Sequence, residues 1–275
     1  MSLTNSARGQ ARRAITSNPL EALTRIGFIG YGLFHLAVAW LAVQIAAGRP
    51  RDEGDQSGAF RTLAAQPFGR FLLVIVIVGL AAMAVWQLLL ALVGHQAEQG
   101  KQRVAERVAS AGRTVVYAAL AWTAVRVFAG NPTSSAAQQE QATAGIMAHG
   151  SGRFLVGLIG LGVLALGIGM AVYGARHQFE RKLTTGRMSR TTRSTARRLG
   201  QVGYIAKGVA FGIVGVLLLD AAVTSNPAKS RGLDAALHTL VGRPYGPFLL
   251  VLVALGFLAF GVYCFLQARY RKVTA

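Results

Sequence analysis

Within the long apolar stretches of this chain stand a few side chains able to do chemistry, and they recur at fixed steps. Lys207 and Asp220 lie 13 residues apart; 94 residues earlier stand Arg113 and Arg126, and 82 earlier again Tyr31 and Gln44. A charge inside a bilayer costs ~2.5–3.5 kcal/mol on insertion scales, so each of these asks for a reason. Lys207 and Arg113 lie near one helix end. Each either snorkels to the phosphate layer or points as a cation into a crevice between repeats. Gln44, Arg126 and Asp220 hold equivalent places near the opposite end. If the repeats surround a common axis, these three meet at one depth. They then form an Arg126–Asp220 ion pair with Gln44 beside it, as a polar clamp or as the mouth of a path or binding site. Simple interfacial exposure is the alternative. His35, one turn beyond Tyr31, has Tyr117 and Phe211 as its equivalents, so this level reads as ring packing or as a proton relay. At ~100° per residue, Lys207 and Asp220 are about 140° apart around a helix, so both face one axis only if the helix bends at its glycines.

Other chemistry is not encoded. His35, His95, His149, His177 and His238 are scattered without an HExxH or a second ligand at metal-binding spacing. There is no phosphate-cradling Walker loop and no GxSxG elbow. Gly160-Leu-Gly162-Val-Leu-Ala165 superficially matches a dinucleotide fingerprint, but it lies inside an apolar run with no strand before it. The expectation is no catalytic residue, no cofactor and no metal, hence a protein that is not an enzyme.

The elements that carry the polar pairs are six apolar runs, about 23–47, 68–93, 106–129, 153–174, 199–223 and 246–268. Each reaches the ~20 residues needed to cross a bilayer core. The first is longer than the core of a signal peptide and reads as a retained helix. Gly69, Gly152 and Gly246 open the even-numbered runs at steps of 83 and 94, as do Phe71, Phe154 and Phe248 within them. Two independent sets of landmarks thus give one register: a helix pair copied three times. The divisions are 1–22 as a cytoplasmic tail, 23–95, 96–177 and 199–270 as repeats, and 178–198 as a basic connection. The even runs carry fewer polar groups, so the odd helices are expected inside and the even ones toward lipid. Gly208-Val-Ala-Phe-Gly212, with Gly200, Gly203 and Gly215, marks a close helix contact.

The totals agree. Of 275 residues, 53% are hydrophobic and 14% charged, with mean hydropathy +0.43, which suits a polytopic membrane protein. A net charge of +19 could signal nucleic acid, but the basic residues sit in the connections between apolar runs, so no nucleic-acid partner is expected. Lys and Arg number four from the N-terminus through Arg25, three in 94–107, eight in 175–198 and three at the C-terminus. The opposite loops hold six, diluted by Asp52, Glu53 and Asp55. The positive-inside rule then places both termini in the cytoplasm. The connection 175–198 suits anionic lipid head groups, or serves only as a topology signal. Cys264 is the lone cysteine and fixes no redox compartment. Residues 58–64 and 233–240 carry apolar positions at three- and four-residue spacing, predicting short amphipathic helices on the outer surface.

GFIGYG with SGAFRTLAAQPFGRFLL, and GYIAKGVAFGIVG with GLDAALHTLVGRPYGPFLLVLVALGFLAFGVY and ARYR, resemble the bacterial membrane family called domain of unknown function 1206. The resemblance covers roughly residues 20–272 and implies a helix pair repeated three times. The middle repeat departs most, with Arg113-Thr114 where the last has Lys207-Gly208. The family implies no activity and transfers no site. The reading is therefore an all-α integral membrane protein: three tandem helix hairpins about a pseudo-threefold axis, with short amphipathic helices in the outer loops. A non-enzymatic structural or interaction protein with a protein partner in the bilayer leads; a small channel or transporter with a path between the repeats is the alternative.

Overall fold

A computed structural model describes residues 18–48, 53–95, 99–242 and 244–272; the expected tail before residue 18 lies outside them. Among the described residues nine α-helices occur in this order: α1 (Asn18–Ala46), α2 (Gln56–Ala64), α3 (Gly69–Val93), α4 (Gly100–Phe128), α5 (Ser135–Met147), α6 (Gly152–Ala175), α7 (Arg190–Thr224), α8 (Leu233–Val241) and α9 (Gly246–Tyr270). Six of them, α1, α3, α4, α6, α7 and α9, are long and apolar enough to cross a membrane. With every backbone bond made inside the segment, such helices are one of two solutions that hydrocarbon allows.

The repeats pack cyclically. α3 lies on α4, α6 on α7 and α9 on α1, so the second span of each repeat meets the first span of the next, and the third repeat closes on the first. Within repeats α1 packs on α3 and α7 on α9, whereas α4 and α6 have no comparable contact. The middle repeat is split along its length.

Burial does not divide into inner odd and outer even spans, as the polarity of the runs suggested. In the most apolar stretch of each span, 61% of α1 is buried, 44% of α3 and 50% of α9, against 17% of α4, 17% of α6 and 28% of α7. The cause is the number of neighbours. α1 is clasped by α3 and α9, whereas α4 and α6 each have one large partner and hide one narrow stripe. On α4 that stripe is Ser110, Tyr117 and Ala124; on α6 it is Gly160, Gly167 and Gly174, at seven-residue spacing.

Each pair of spans is joined by a short helix, α2, α5 or α8, on the side away from the termini. α2 and α8 fulfil the amphipathic expectation. α5 was not expected, because its Ala- and Gln-rich sequence has no apolar face; a Ser134 side-chain cap on Ala137 N–H and good helix formers suffice. The register glycines are explained here. A Cβ on Gly69, Gly152 or Gly246 would fall 2.3, 1.7 or 2.4 Å from a carbonyl oxygen at the end of the preceding short helix, so only glycine allows the chain to turn directly into the next span. The glycines of α7 serve several neighbours: Gly208 and Gly215 meet α6, Gly203 meets Phe260 of α9, and Gly200 meets the Phe179 ring.

The extra residues of 175–198 are ordered. They form short 3₁₀ turns at Gln178–Lys182 and Thr185–Arg187, and α7 starts at Arg190, well before the apolar run, with Ser189 capping Thr192 N–H. Phe179 is buried beneath Tyr204 and Tyr263. Thr184 N–H donates to Tyr270 O and Lys272 N–H to Lys182 O, tying this connection to the end of α9.

Candidate functional site

The polar centre of the molecule forms around Lys207, which is 6% exposed in the middle of α7. Small neighbours, Gly203 and Gly208, let α9 and α6 close around it. Its Nζ donates to Tyr31 Oη at 2.7 Å and lies 4.1 Å from the centre of the Phe260 ring and 5.0 Å from that of Tyr31. Tyr31 in turn meets Tyr117 edge-on at 5.1 Å and His35 at 4.3 Å. Thus α1, α4, α7 and α9 all reach one point. Aromatic faces attract a desolvated cation by ~2 kcal/mol or more, and a charge-assisted hydrogen bond to a phenol adds to that. Among the described residues no carboxylate is paired with Lys207.

His35 is buried, and its Nδ1 lies 2.8 Å from the Tyr31 carbonyl. A carbonyl only accepts, so Nδ1 carries the proton and Nε2 is left free in the neutral ring. His35 also stacks near Phe260, at 4.7 Å. The result is a ring-lined site that holds a positive charge. Among the described residues no group of three or more His, Cys, Asp or Glu side chains is placed to hold a metal ion.

Of the positions read from the sequence, Tyr31, His35 and Lys207 come together, with Tyr117 beside them. Arg113, the repeat equivalent of Lys207, does not join. Its Nε donates to Gln87 Oε1 at 2.9 Å and its Nη2 to Ser110 Oγ at 3.0 Å, with Glu106 3.8 Å away and the side chain over a third exposed. One register position therefore hosts two arrangements, a caged ammonium on α7 and a partly solvated guanidinium on α4.

The expected triplet does not assemble. Asp220 pairs with Lys229, two turns on in the same repeat, at 2.7 Å. Arg126 donates to its own neighbour's carbonyl, Asn131 O, at 3.3 Å. Gln44 keeps a buried Oε1 with no hydrogen-bond partner. The reason is local: each helix end turns back through its own loop, and that loop supplies a nearer partner than the next repeat does.

What joins the repeats on that side is a set of carboxylates in the short connections. Asp55 Oδ1 accepts from Gly58 N–H at 2.6 Å, capping α2, and Oδ2 accepts from Ala136 N–H at 2.9 Å in the first turn of α5. Asp234 Oδ1 accepts from Gly54 N–H at 2.8 Å, and Arg231 bridges Asp234 and Glu53 at 3.3 and 3.2 Å. The third repeat thereby holds the first, and the first holds the second. Burial pushes the Asp55 carboxyl up, against the pull of its two backbone N–H bonds. In the sequence Glu53 and Asp55 register only as acids diluting the basic charge of the outer loops, and Asp234 only as part of an amphipathic pattern. The Asp-x-x-Gly spacing of Asp55 and Gly58 was the available signal for a helix cap. Phe260, at the heart of the lysine cage, carried no signal at all.

Comparisons with known proteins come to the same architecture. The family model Domain of Unknown Function (DUF1206) matches residues 26–94, 108–177 and 202–271, once per helix pair. The chain is 30% identical to the uncharacterized protein YxxB of Bacillus subtilis (strain 168), over 93% of this chain and 92% of that one. No solved structure matches. Three matches spanning most of the chain, one on each helix pair, place it in a family: this protein is a member of the family called Domain of Unknown Function 1206.

Proposed function

We propose that this protein is a non-enzymatic structural or interaction component of the bacterial inner membrane, with both termini in the cytoplasm. The observation that carries the reading is the filling of the bundle. Toward the short helices, Phe34, Leu41, Phe60 and Leu237 form one buried apolar cluster, and below them the aromatic cage closes over Lys207. A packed interior of this kind suits a rigid scaffold better than a wet passage. The excess of Lys and Arg in 94–107 and 175–198 supports the orientation, and the eight basic residues of 175–198 would draw anionic head groups at ~1 kcal/mol each near the surface.

The test is a detergent-free native isolation with mass spectrometry of proteins and lipids, beside flux assays in proteoliposomes. A defined membrane partner with no ion or solute flux supports the reading. Isolation of the bare chain, or robust flux, overturns it. One observation favours a small channel or transporter instead: the separation of α4 from α6, which opens one side of the ring. Flux abolished by bulky residues on those two helices would establish that alternative.

A further inference from the structure

A groove of about 470 Å³ runs along the outer surface of α6 and α7, lined by Gly157, Leu158, Leu161, Leu219 and Ala222, with Arg153 at its polar end. From Arg153 to Leu161 the groove descends eight residues along α6, about 12 Å at 1.5 Å per residue. Its upper end lies in the first turn of α6 and the last turn of α7, so in a bilayer spanned by these helices that end would sit near the head groups and its floor among the acyl chains.

The repeats supply an internal control. Counting back by the register, Gly157 corresponds to Val74 in the first repeat and Val251 in the third, and Ala222 corresponds to Phe128 at the end of α4 and Ala46 at the end of α1. Arg153 corresponds to Arg70, and Arg70 lies over the Phe128 ring at 5.5 Å. There an aromatic ring and a valine stand where the α6–α7 interface has a methyl and a hydrogen. Relative to the α3–α4 interface two positions are shrunk at the same place, and relative to α9–α1 it is Gly157 that is smaller; the groove is the space they leave. Gly157 gains nothing for helix packing in return, because a Cβ there would meet only Ala222 Cβ at 3.8 Å.

Arg153 is held in place. Its Nε donates to Ala222 O at 3.1 Å and its Nη2 to Val223 O at 2.9 Å, carbonyls left without helical partners at the end of α7. A guanidinium has five N–H donors, and these two bonds leave three of them for an acceptor at the mouth of the groove. A fixed, exposed guanidinium above an apolar slot matches one partner in both chemistries: a phosphate with an acyl chain below it.

We infer that this groove binds one glycerophospholipid from the leaflet opposite the termini, its phosphate on Arg153 and a chain between α6 and α7. The test is native mass spectrometry of the full-length protein released from nanodiscs of phosphatidylglycerol and phosphatidylcholine. One phosphatidylglycerol adduct is expected to survive activation that strips the rest. Arg153→Gln lowers its retention about fivefold, the equivalent of ~1 kcal/mol for one basic group. Gly157→Val with Ala222→Phe, the pair that the α3–α4 interface already carries, removes the adduct while leaving Arg153 in place. A retained adduct in both variants, or adducts indistinguishable between the two lipids and all three proteins, overturns the inference. Should the double variant fold poorly, Gly157→Val alone is read by the same criterion, with melting in detergent to report its fold.

Discussion

Replacing Tyr31 by Phe removes one oxygen and strands the charge on Lys207. The Lys207 ammonium is buried, and the Tyr31 hydroxyl at 2.7 Å is its hydrogen-bond partner, the remaining contacts being ring faces. Hydrogen bonds to charged groups contribute ~1.5–3 kcal/mol, so Tyr31→Phe should destabilise the fold by about 2 kcal/mol. For a chain of this size that is a fall of roughly 4–8 °C in melting temperature. Lys207→Met removes the charge itself and keeps the volume, so it should be neutral or stabilising, as when buried ions give way to apolar groups. In the Lys207→Met background the cost of Tyr31→Phe should disappear. The assay is a double-mutant cycle by thermal unfolding in a single mild detergent. A coupling of ~1.5 kcal/mol or more is expected. Coupling near zero, or a Lys207→Met protein less stable than Tyr31→Phe, would refute the aromatic cage as the means by which this charge is held.

Two further outcomes follow from single contacts. A Cβ at Gly167 would fall 2.6 Å from Gly212 N, whereas at Gly162 it meets nothing within 4 Å. Gly167→Val should therefore force α6 from α7 and cost ~1–3 kcal/mol, and Gly162→Val should not; melting temperatures separate the two. For Asp55 the folded-state pKa is raised by burial, so the fold retains the proton more firmly than the unfolded chain does. The stability tied to it is present below the unfolded value near ~3.9 and is lost as pH rises through the higher folded value. Wild-type melting should fall over that window relative to Asp55→Asn, and parallel pH profiles for the two proteins would contradict this.

The fold was legible because its signals are physical and repeated. Length and apolarity identify a span regardless of neighbours, and the glycines before each even-numbered span recur because the same carbonyl crowds the same turn. The level of Lys207 was legible in part, since Tyr31 holds its register position and His35 and Tyr117 hold the one a turn further on. The Arg126–Asp220 pair failed because register fixes depth but not the nearest partner, and Lys229 and Asn131 lie closer along the chain. The burial of α3 and α9 over α4 and α7 was hidden because hydrophobicity does not separate a lipid-facing surface from a protein-facing one in a bilayer. α5 was missed because a short helix at the surface needs a cap and good helix formers, not an apolar stripe. The acids of the outer clasp looked like diluted charge, and only folding brings Asp55 against two helix starts.

The account rests on three helix pairs closing into a ring, the last on the first. At that closure an ideal Cβ on Gly32 of α1 lies 3.2 Å from Cys264 Cβ of α9 and 2.9 Å from the Gly261 carbonyl oxygen. A shift of a few tenths of an ångström relieves the carbonyl and brings the pair into the ~3.5–4.5 Å range that a disulfide requires. Because Cys264 is the sole cysteine, one substitution suffices. Gly32→Cys treated with copper phenanthroline in native membranes should lose maleimide reactivity and show peptides of α1 and α9 linked by mass spectrometry. Gly162→Cys on the exposed face of α6 should show no intramolecular link. Absence of the Gly32→Cys bridge, or a bridge formed equally well from α6, would contradict the ring.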